Sequence, residues 1–208
     1  MEIQGIYLII DPTLTNNRSI FDIASWALSG GVSVIQYRDK ISDRSEFLEN
    51  SFQLKEICDS GEIPFIVNDA VDVALLTNSY GVHLGQSDLP IDYARQILSS
   101  DQIVGLSNDG MEQAKESEHK GSDYVAVGAV FPTRSLGKSS RIPVGLKKLE
   151  QIVNRMLIPV VAIGGISEDN LYDVRKTGVA SACIVSDITL SESPENKVKN
   201  LRKIWFDY

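Results

Sequence analysis

Eight short apolar runs alternate with eight longer amphipathic stretches along 208 residues, and no linker, repeat or low-complexity tract interrupts them. That strict alternation, with about 26 residues for each strand–helix unit, predicts an α/β chain of one domain over residues 1–208, closed as a (β/α)8 TIM barrel. The runs are rich in Ile and Val and apolar at nearly every position, as strands buried on both faces read. An open doubly wound sheet is the other architecture that the alternation allows.

Taken in order, residues 5–10 form the first strand and residues 19–29 the first helix. In that helix Ile20, Ile23, Ala24, Ala27 and Leu28 share a face, Ser19 and Asp22 make a capping pair, and Gly30 is the stop. Strand 33–37 precedes helix 46–60, and strand 64–67 precedes a shorter helix at 70–78. Strands 81–84, 103–106 and 124–127 are followed by helices 91–99, 111–120 and 145–156. Strand 159–163 leads to a helix capped by Ser167 that carries Leu171 and Val174. Strand 182–185 leads to the last helix, opened by Ser193 and Pro194, with Val198, Leu201, Ile204 and Trp205 on one face. The terminal Ile204-Trp205-Phe206-Asp207-Tyr208 either completes the outer ring or meets a second subunit, so a homo-oligomer stays open.

Composition narrows the class. Hydrophobic residues at 43% and charged residues at 23% are ordinary for a globular domain. A net charge of −8 speaks against a nucleic-acid or membrane-surface binder, although a local basic pocket remains possible on such a surface. No apolar stretch is long enough for a membrane span, and no basic-then-apolar leader opens the chain. Cys58 and Cys183 lie far apart among apolar neighbours and are expected to pack as buried thiols in a reducing cytoplasm.

Polar residues collect just after each strand, where a barrel carries its chemistry. Arg38 and Lys40 alternate with Tyr37 and Asp39, so both can project from one side of an extended segment and hold an anion such as a phosphate; pairing with Asp39, Asp43 or Asp69 is the other reading. Asp69 and Asp88 supply hard oxygen ligands from adjacent strand ends, suited to Mg2+ and a diphosphate, unless Asp88 only caps the helix after Pro90. Gly164-Gly165 and Val185-Ser186 close the last two strands, the place where barrels frequently seat a phosphate. His83, between Val82 and Leu84, reads first as a hydrogen-bonded barrel residue, and His119 as a solvated one. No Ser-His-Asp or Cys-His arrangement, HExxH or paired CxxC is present, which disfavours covalent hydrolysis and a zinc site.

With these residues placed, the strand ends resemble the thiamine-phosphate synthase family along almost the whole chain. The matching pieces are Gln36-Tyr37-Arg38-Asp39-Lys40, Val67-Asn68-Asp69, Gly81-Val82-His83-Leu84-Gly85-Gln86-Ser87-Asp88, Gly105-Leu106-Ser107, Gly128-Ala129-Val130-Phe131-Pro132-Thr133, Ala162-Ile163-Gly164-Gly165-Ile166 and Val185-Ser186. The resemblance implies a transferase that joins a hydroxymethylpyrimidine diphosphate to a thiazole phosphate, giving thiamine phosphate and pyrophosphate. It implies that Gln36, Arg38, Lys40, Asn68 and Ser107 bind the pyrimidine diphosphate, that Asp69 and Asp88 hold magnesium, and that Thr133, Ser135, Gly165, Val185 and Ser186 bind the thiazole phosphate. Arg38, Lys40, Ser107 and Lys138 would serve the chemistry itself.

One departure stands out. The family places a lysine directly after its second threonine or serine in the sixth loop, whereas here Leu136 and Gly137 follow Ser135 and the lysine comes at Lys138. Either Lys138 reaches the diphosphate, or Arg134 replaces it, or the contact is missing; loss of turnover in Lys138→Ala would show that Lys138 keeps the role. The alternatives to the transferase are a thiazole tautomerase-like isomerase on the same barrel and a non-catalytic barrel that binds a phosphate ligand.

Overall fold

The apolar runs become strands because each has two faces to bury. In a computed structural model, which describes residues 3–133 and 142–207, the eight parallel strands are β1 (Gly5–Ile10), β2 (Val34–Tyr37), β3 (Phe65–Asn68), β4 (Gly81–Leu84), β5 (Ile103–Asn108), β6 (Tyr124–Gly128), β7 (Val160–Ile163) and β8 (Ser181–Ile184). They close in chain order, with β8 returning to β1 through the register Gly5↔Ser181 to Leu8↔Ile184, which decides for the barrel over the open sheet. Alternate residues then part company. Ile6, Leu8 and Ile10 face the helices in the large outer core, while Tyr7, Ile9, Val34, Ile66, Tyr124 and Val161 fill the lumen.

The helices are α1 (Ile20–Gly30), α2 (Arg44–Ser60), α3 (Val71–Leu76), α4 (Ile91–Ile97), α5 (Met111–His119), α6 (Gly145–Val153), α7 (Leu171–Lys176), α8 (Ser186–Thr189) and α9 (Pro194–Phe206). Short α8 breaks the expected one-to-one alternation, and a 3-10 turn at Pro12–Leu14 adds another element on the same rim. Each has a local cause. The Asp11 carboxylate accepts the Thr13 N–H at 2.9 Å and starts the turn, while Val185 (φ −118, ψ −89) leaves the extended region and ends β8 one residue early.

Two caps differ from expectation. The helix stop is Gly31, left-handed at φ +89, whose N–H reaches the carbonyls of Ala27 and Leu28. Gly30 stays helical and is needed for packing, since a Cβ there would lie 2.7 Å from the Glu195 carbonyl oxygen and from Val198 Cβ. At α7 Ser167 does not cap; the Asn170 carboxamide oxygen accepts the Ser167 N–H at 2.9 Å.

Ser19 and Ser193 cap α1 and α9 as expected, accepting from Phe21 and Asn196. The amphipathic face of α9 buries Val198, Leu201 and Trp205, so the end of the chain completes the outer ring through residue 207. Both cysteines are buried and neither is in a disulfide, and burial pushes the Cys58 thiol up to about 12. Among the described residues no helix is long and apolar enough to cross a membrane.

Candidate active site

Parallel strands put all their C-terminal ends on one rim, and side chains at those ends turn toward one another. Past Tyr37 the β2 chain does not carry Arg38 and Lys40 side by side: each is drawn to an acid on a different neighbouring strand. Arg38 pairs with Asp11, which follows β1 and is almost fully buried. Lys40 pairs with Asp69, which follows β3. Asp39 is occupied locally, accepting from Ile41 N at 2.8 Å, Ser42 N at 3.0 Å and the Tyr37 hydroxyl at 2.7 Å. Burial pushes its pKa up, but those donors outweigh it and hold it below the usual carboxylate value. Asp43 caps α2 through the Glu46 N–H.

Asp69 adopts a left-handed backbone (φ +60), a conformation that Asp and Asn tolerate better than most residues. Burial, and next the neighbouring Asp88 carboxylate, raise its pKa, while Lys40 opposes the rise. Asp88 does not cap α4, whose N-cap is Pro90; its Oδ2 folds back to accept the Gly85 N–H at 2.7 Å. Two neighbouring carboxylates, one of them paired with Lys40, therefore stand at one place on the rim. No group of three or more His, Cys, Asp or Glu side chains suited to a metal occurs among the described residues.

Beneath this rim the lumen is polar in one column. Gln36 Nε2 donates to the Tyr7 hydroxyl at 2.7 Å, Tyr7 meets Tyr124 at 3.1 Å, Tyr124 meets His83 Nδ1 at 2.9 Å, and His83 Nε2 meets Ser107 Oγ at 2.9 Å. Gln36 is 2% exposed, and its Oε1 has no hydrogen-bond partner. His83 is the hydrogen-bonded barrel residue that its strand position suggests; His119 is exposed on α5. Asn68, at the end of β3, pairs in register with His83. Gln86 Nε2 donates to the Ser107 carbonyl at 2.6 Å and ties the β4 loop to β5.

Across the rim, β7 ends in two left-handed glycines, Gly164 (φ +99) and Gly165 (φ +68). A Cβ on Gly165 would come within 2.8 Å of Phe131 Cβ and the Pro132 carbonyl oxygen, so only glycine fits. Ser186 does not end β8; it opens α8 behind Val185. Lys197 on α9 binds Glu168 at 2.8 Å and Asp187 at 3.6 Å, and the Glu168 N–H donates to Asp187 at 3.0 Å, so three side chains hold the last two loops together. Thr133 is partly buried at the edge of this region. Ser135, Lys138 and the competing Arg134 lie outside the described residues. A hollow of about 670 Å³ lies at the opposite end of the barrel beside Ile3, Tyr80, Ile103 and Trp205. Chemistry, not volume, marks the site.

Residues 6–188 match the family model described as thiamine monophosphate synthase. The chain belongs to that family. The thiamine-phosphate synthase of Clostridium acetobutylicum is 38% identical over 97% of this chain and 93% of its own, and that of Persephonella marina is 38% identical over 96% and 95%. A solved thiamine phosphate pyrophosphorylase from Pyrococcus furiosus superposes with a TM-score of 0.90 at 37% identity, covering 98% of this chain and 96% of that one. For a chain of the thiamine monophosphate synthase family, two lumen residues, Tyr7 and Tyr124, escaped the sequence reading, and Asp11, at the end of the first strand, was read there without its partner Arg38. The tyrosines look like ordinary strand residues, and their inward alternation was the signal available.

Proposed function

We propose that this chain is a transferase that couples 4-amino-2-methyl-5-hydroxymethylpyrimidine diphosphate to 4-methyl-5-hydroxyethylthiazole phosphate, yielding thiamine phosphate and pyrophosphate. The observation that carries the reading is the rim cluster of Lys40, Asp69 and Asp88 beside the Arg38–Asp11 pair. Acids and cations interleaved in this way suit a diphosphate held with a divalent ion, because one or two carboxylates plus phosphate oxygens are a common magnesium environment. The left-handed Gly164–Gly165 turn across the rim, with Val185 and Ser186, suits the second substrate's single phosphate.

In the reaction the carbon–oxygen bond to the diphosphate breaks, the pyrophosphate leaves with the electron pair, and the thiazole nitrogen donates its lone pair to the resulting pyrimidine-stabilised cation. Arg38 and Lys40 hold the diphosphate and stabilise the charge that grows on it. Asp11 keeps the guanidinium aimed. Gln36, Asn68 and Ser107 orient the pyrimidine, and the closed lumen below them keeps water from the cation. Asp69 and Asp88 fit magnesium by donor chemistry, two hard oxygens whose mutual repulsion favours a cation between them. Magnesium, when bound there, supplies further positive charge at the diphosphate oxygens. No general base is needed, in keeping with His83 bonded within the lumen. An acidic composition and two buried cysteines outside any disulfide fit a cytoplasmic enzyme.

Incubating the purified protein with both precursors, with and without magnesium, tests this directly. Thiamine phosphate and pyrophosphate should appear in equal amounts, and Asp69→Asn should lower the rate and raise the magnesium requirement. Consumption of a thiazole isomer without carbon–nitrogen bond formation would indicate the tautomerase instead.

A further inference from the structure

An outer helix of a barrel is expected to be apolar toward the strands and polar toward water. Two neighbouring helices break that rule. On α3, Val71, Val73 and Ala74 are buried, yet Leu75 is 38% and Leu76 60% exposed. On α4, Ile91 and Ala94 are buried, yet Tyr93 is 55% and Ile97 44% exposed. On α2, Phe52 is 45% exposed.

Ion pairs show which way these side chains turn. Arg44 on α2 reaches Asp72 on α3, and Phe52, about two turns further along α2, lies on the same flank as Arg44. Arg95 on α4 turns the other way, to Asp123 before β6, so Tyr93 and Ile97, one turn apart and opposite it, face the α3 side. α3 packs directly on α4. Leu75 and Leu76 therefore stand between Phe52 on one side and Tyr93 and Ile97 on the other, in one apolar band across three consecutive helices. Leu157 and Leu190 are also exposed, but on separate elements, where a single apolar side chain is ordinary.

Area and charge together say what covers the band. Its five side chains present roughly 450 Å² to solvent, a contiguous patch of the size that marks an interaction site. A standard interface covers about 800 Å² on each partner, about 60% of it apolar, or ~480 Å². The band thus holds the apolar area that one half of a stable dimer needs. Its charges are compensated within the chain: Asp72 by Arg44 at 3.0 Å, Lys55 by Asp59 at 2.6 Å, and Arg95 by Asp123. Asp92 turns away to α5, where it lines a crevice with Glu116 and Lys120. Molecules of net charge −8 repel one another, and a face with compensated charge is where two of them can meet. A basic partner would be drawn to the uncompensated acids elsewhere.

We propose that Phe52, Leu75, Leu76, Tyr93 and Ile97 form the interface of a homodimer, in which a two-fold axis lays the band of one copy on the band of the other. Phe52 and Tyr93 supply the aromatic anchors that interface cores favour. The band runs along the flank of the barrel, so both rims stay open to substrate.

Sedimentation velocity of the unaltered chain should show a dimer, twice 22.9 kDa, with a Kd below about 1 μM. Leu76→Asp and Tyr93→Asp, each entering the interface twice, should weaken association at least about 100-fold while the far-ultraviolet circular dichroism stays unchanged. Leu157→Asp, before β7, should leave the dimer intact. A chain still monomeric at about 100 μM would overturn the proposal. So would a dimer that survives both band substitutions, or one that Leu157→Asp breaks as readily, because its interface would lie elsewhere. Hydroxyl-radical footprinting of the unaltered dimer needs no variant and decides the matter even if the substituted chains fail to fold. Tyr93 should be labelled several-fold less than Tyr172, which is 45% exposed on α7, and equal labelling of the two would refute the assignment.

Discussion

Asp11 is the residue that the rest of the rim leans on. It is 1% exposed, accepts from Thr13 N and Thr13 Oγ1, and spends its other oxygen on Arg38. Asp11→Asn keeps the shape and removes the charge, so Arg38 loses its aim. We expect kcat/KM for the pyrimidine diphosphate to fall about 10- to 100-fold, equivalent to ~1.4–2.7 kcal/mol of transition-state stabilisation, in steady-state kinetics. Gly165→Ala is expected to lower stability by about 1–3 kcal/mol in thermal denaturation, because it adds a clash to a left-handed backbone. Asp39 sets a pH limit at the acid end. Its folded pKa is depressed by the Ser42, Ile41 and Tyr37 donors against the opposing effect of burial, so its contribution is present above the ordinary value of 3.8 and is lost as pH falls through the lower folded value. Asp39→Asn should flatten the acid limb of the melting curve; an unchanged limb would mean that those donors stabilise the loop no better than they would a neutral amide. The residues at strand ends were legible in sequence because barrels concentrate polar groups there. The pairing of Asp11 with Arg38 was not, since it depends on the register Ile10↔Tyr37, which only long-range pairing sets.

At the scale of elements, α9 does more than cover the barrel. Lys197 reaches from it to Glu168 after β7 and Asp187 after β8. Lys197→Met should therefore raise KM for the thiazole phosphate several-fold with little change in KM for the pyrimidine diphosphate, and lower stability by about 0.5–1 kcal/mol, the modest scale of a partly exposed pair. The hydrogen bond to Glu168, against the opposing effect of burial and with help from Asp187, raises the lysine above 10.5. Its stabilisation is thus complete below that value and fades as pH climbs through the folded one; melting temperatures of the two proteins should converge in that alkaline range. Strand and helix existence was readable from period and caps. Element ends were less so: α8 and the 3-10 turn depend on Val185 dihedrals and an Asp11 side-chain bond, which hydrophobic patterning does not encode.

For the whole molecule, the count of eight units pointed to the closed barrel that is found, although alternation by itself is common to open and closed sheets. The pairing of β1 with β8 joins residues more than 170 positions apart. Trp205 of α9 is buried at the end of the barrel away from the rim, where it lines the large hollow. Trp205→Ala should cost about 3–5 kcal/mol in denaturant titration without altering KM for either substrate, the usual scale for removing a buried tryptophan.

That closing pair also bears on how the chain is made. During synthesis β1 emerges first and pairs with β2 along one side, yet its other side must wait for Ser181–Ile184. A nascent chain stalled short of those residues carries an open, apolar β edge, the sort of surface that chaperones engage and proteases cut. Ribosome-tethered chains should thus gain protease resistance abruptly, only after β8 and the helix behind it have cleared the exit tunnel.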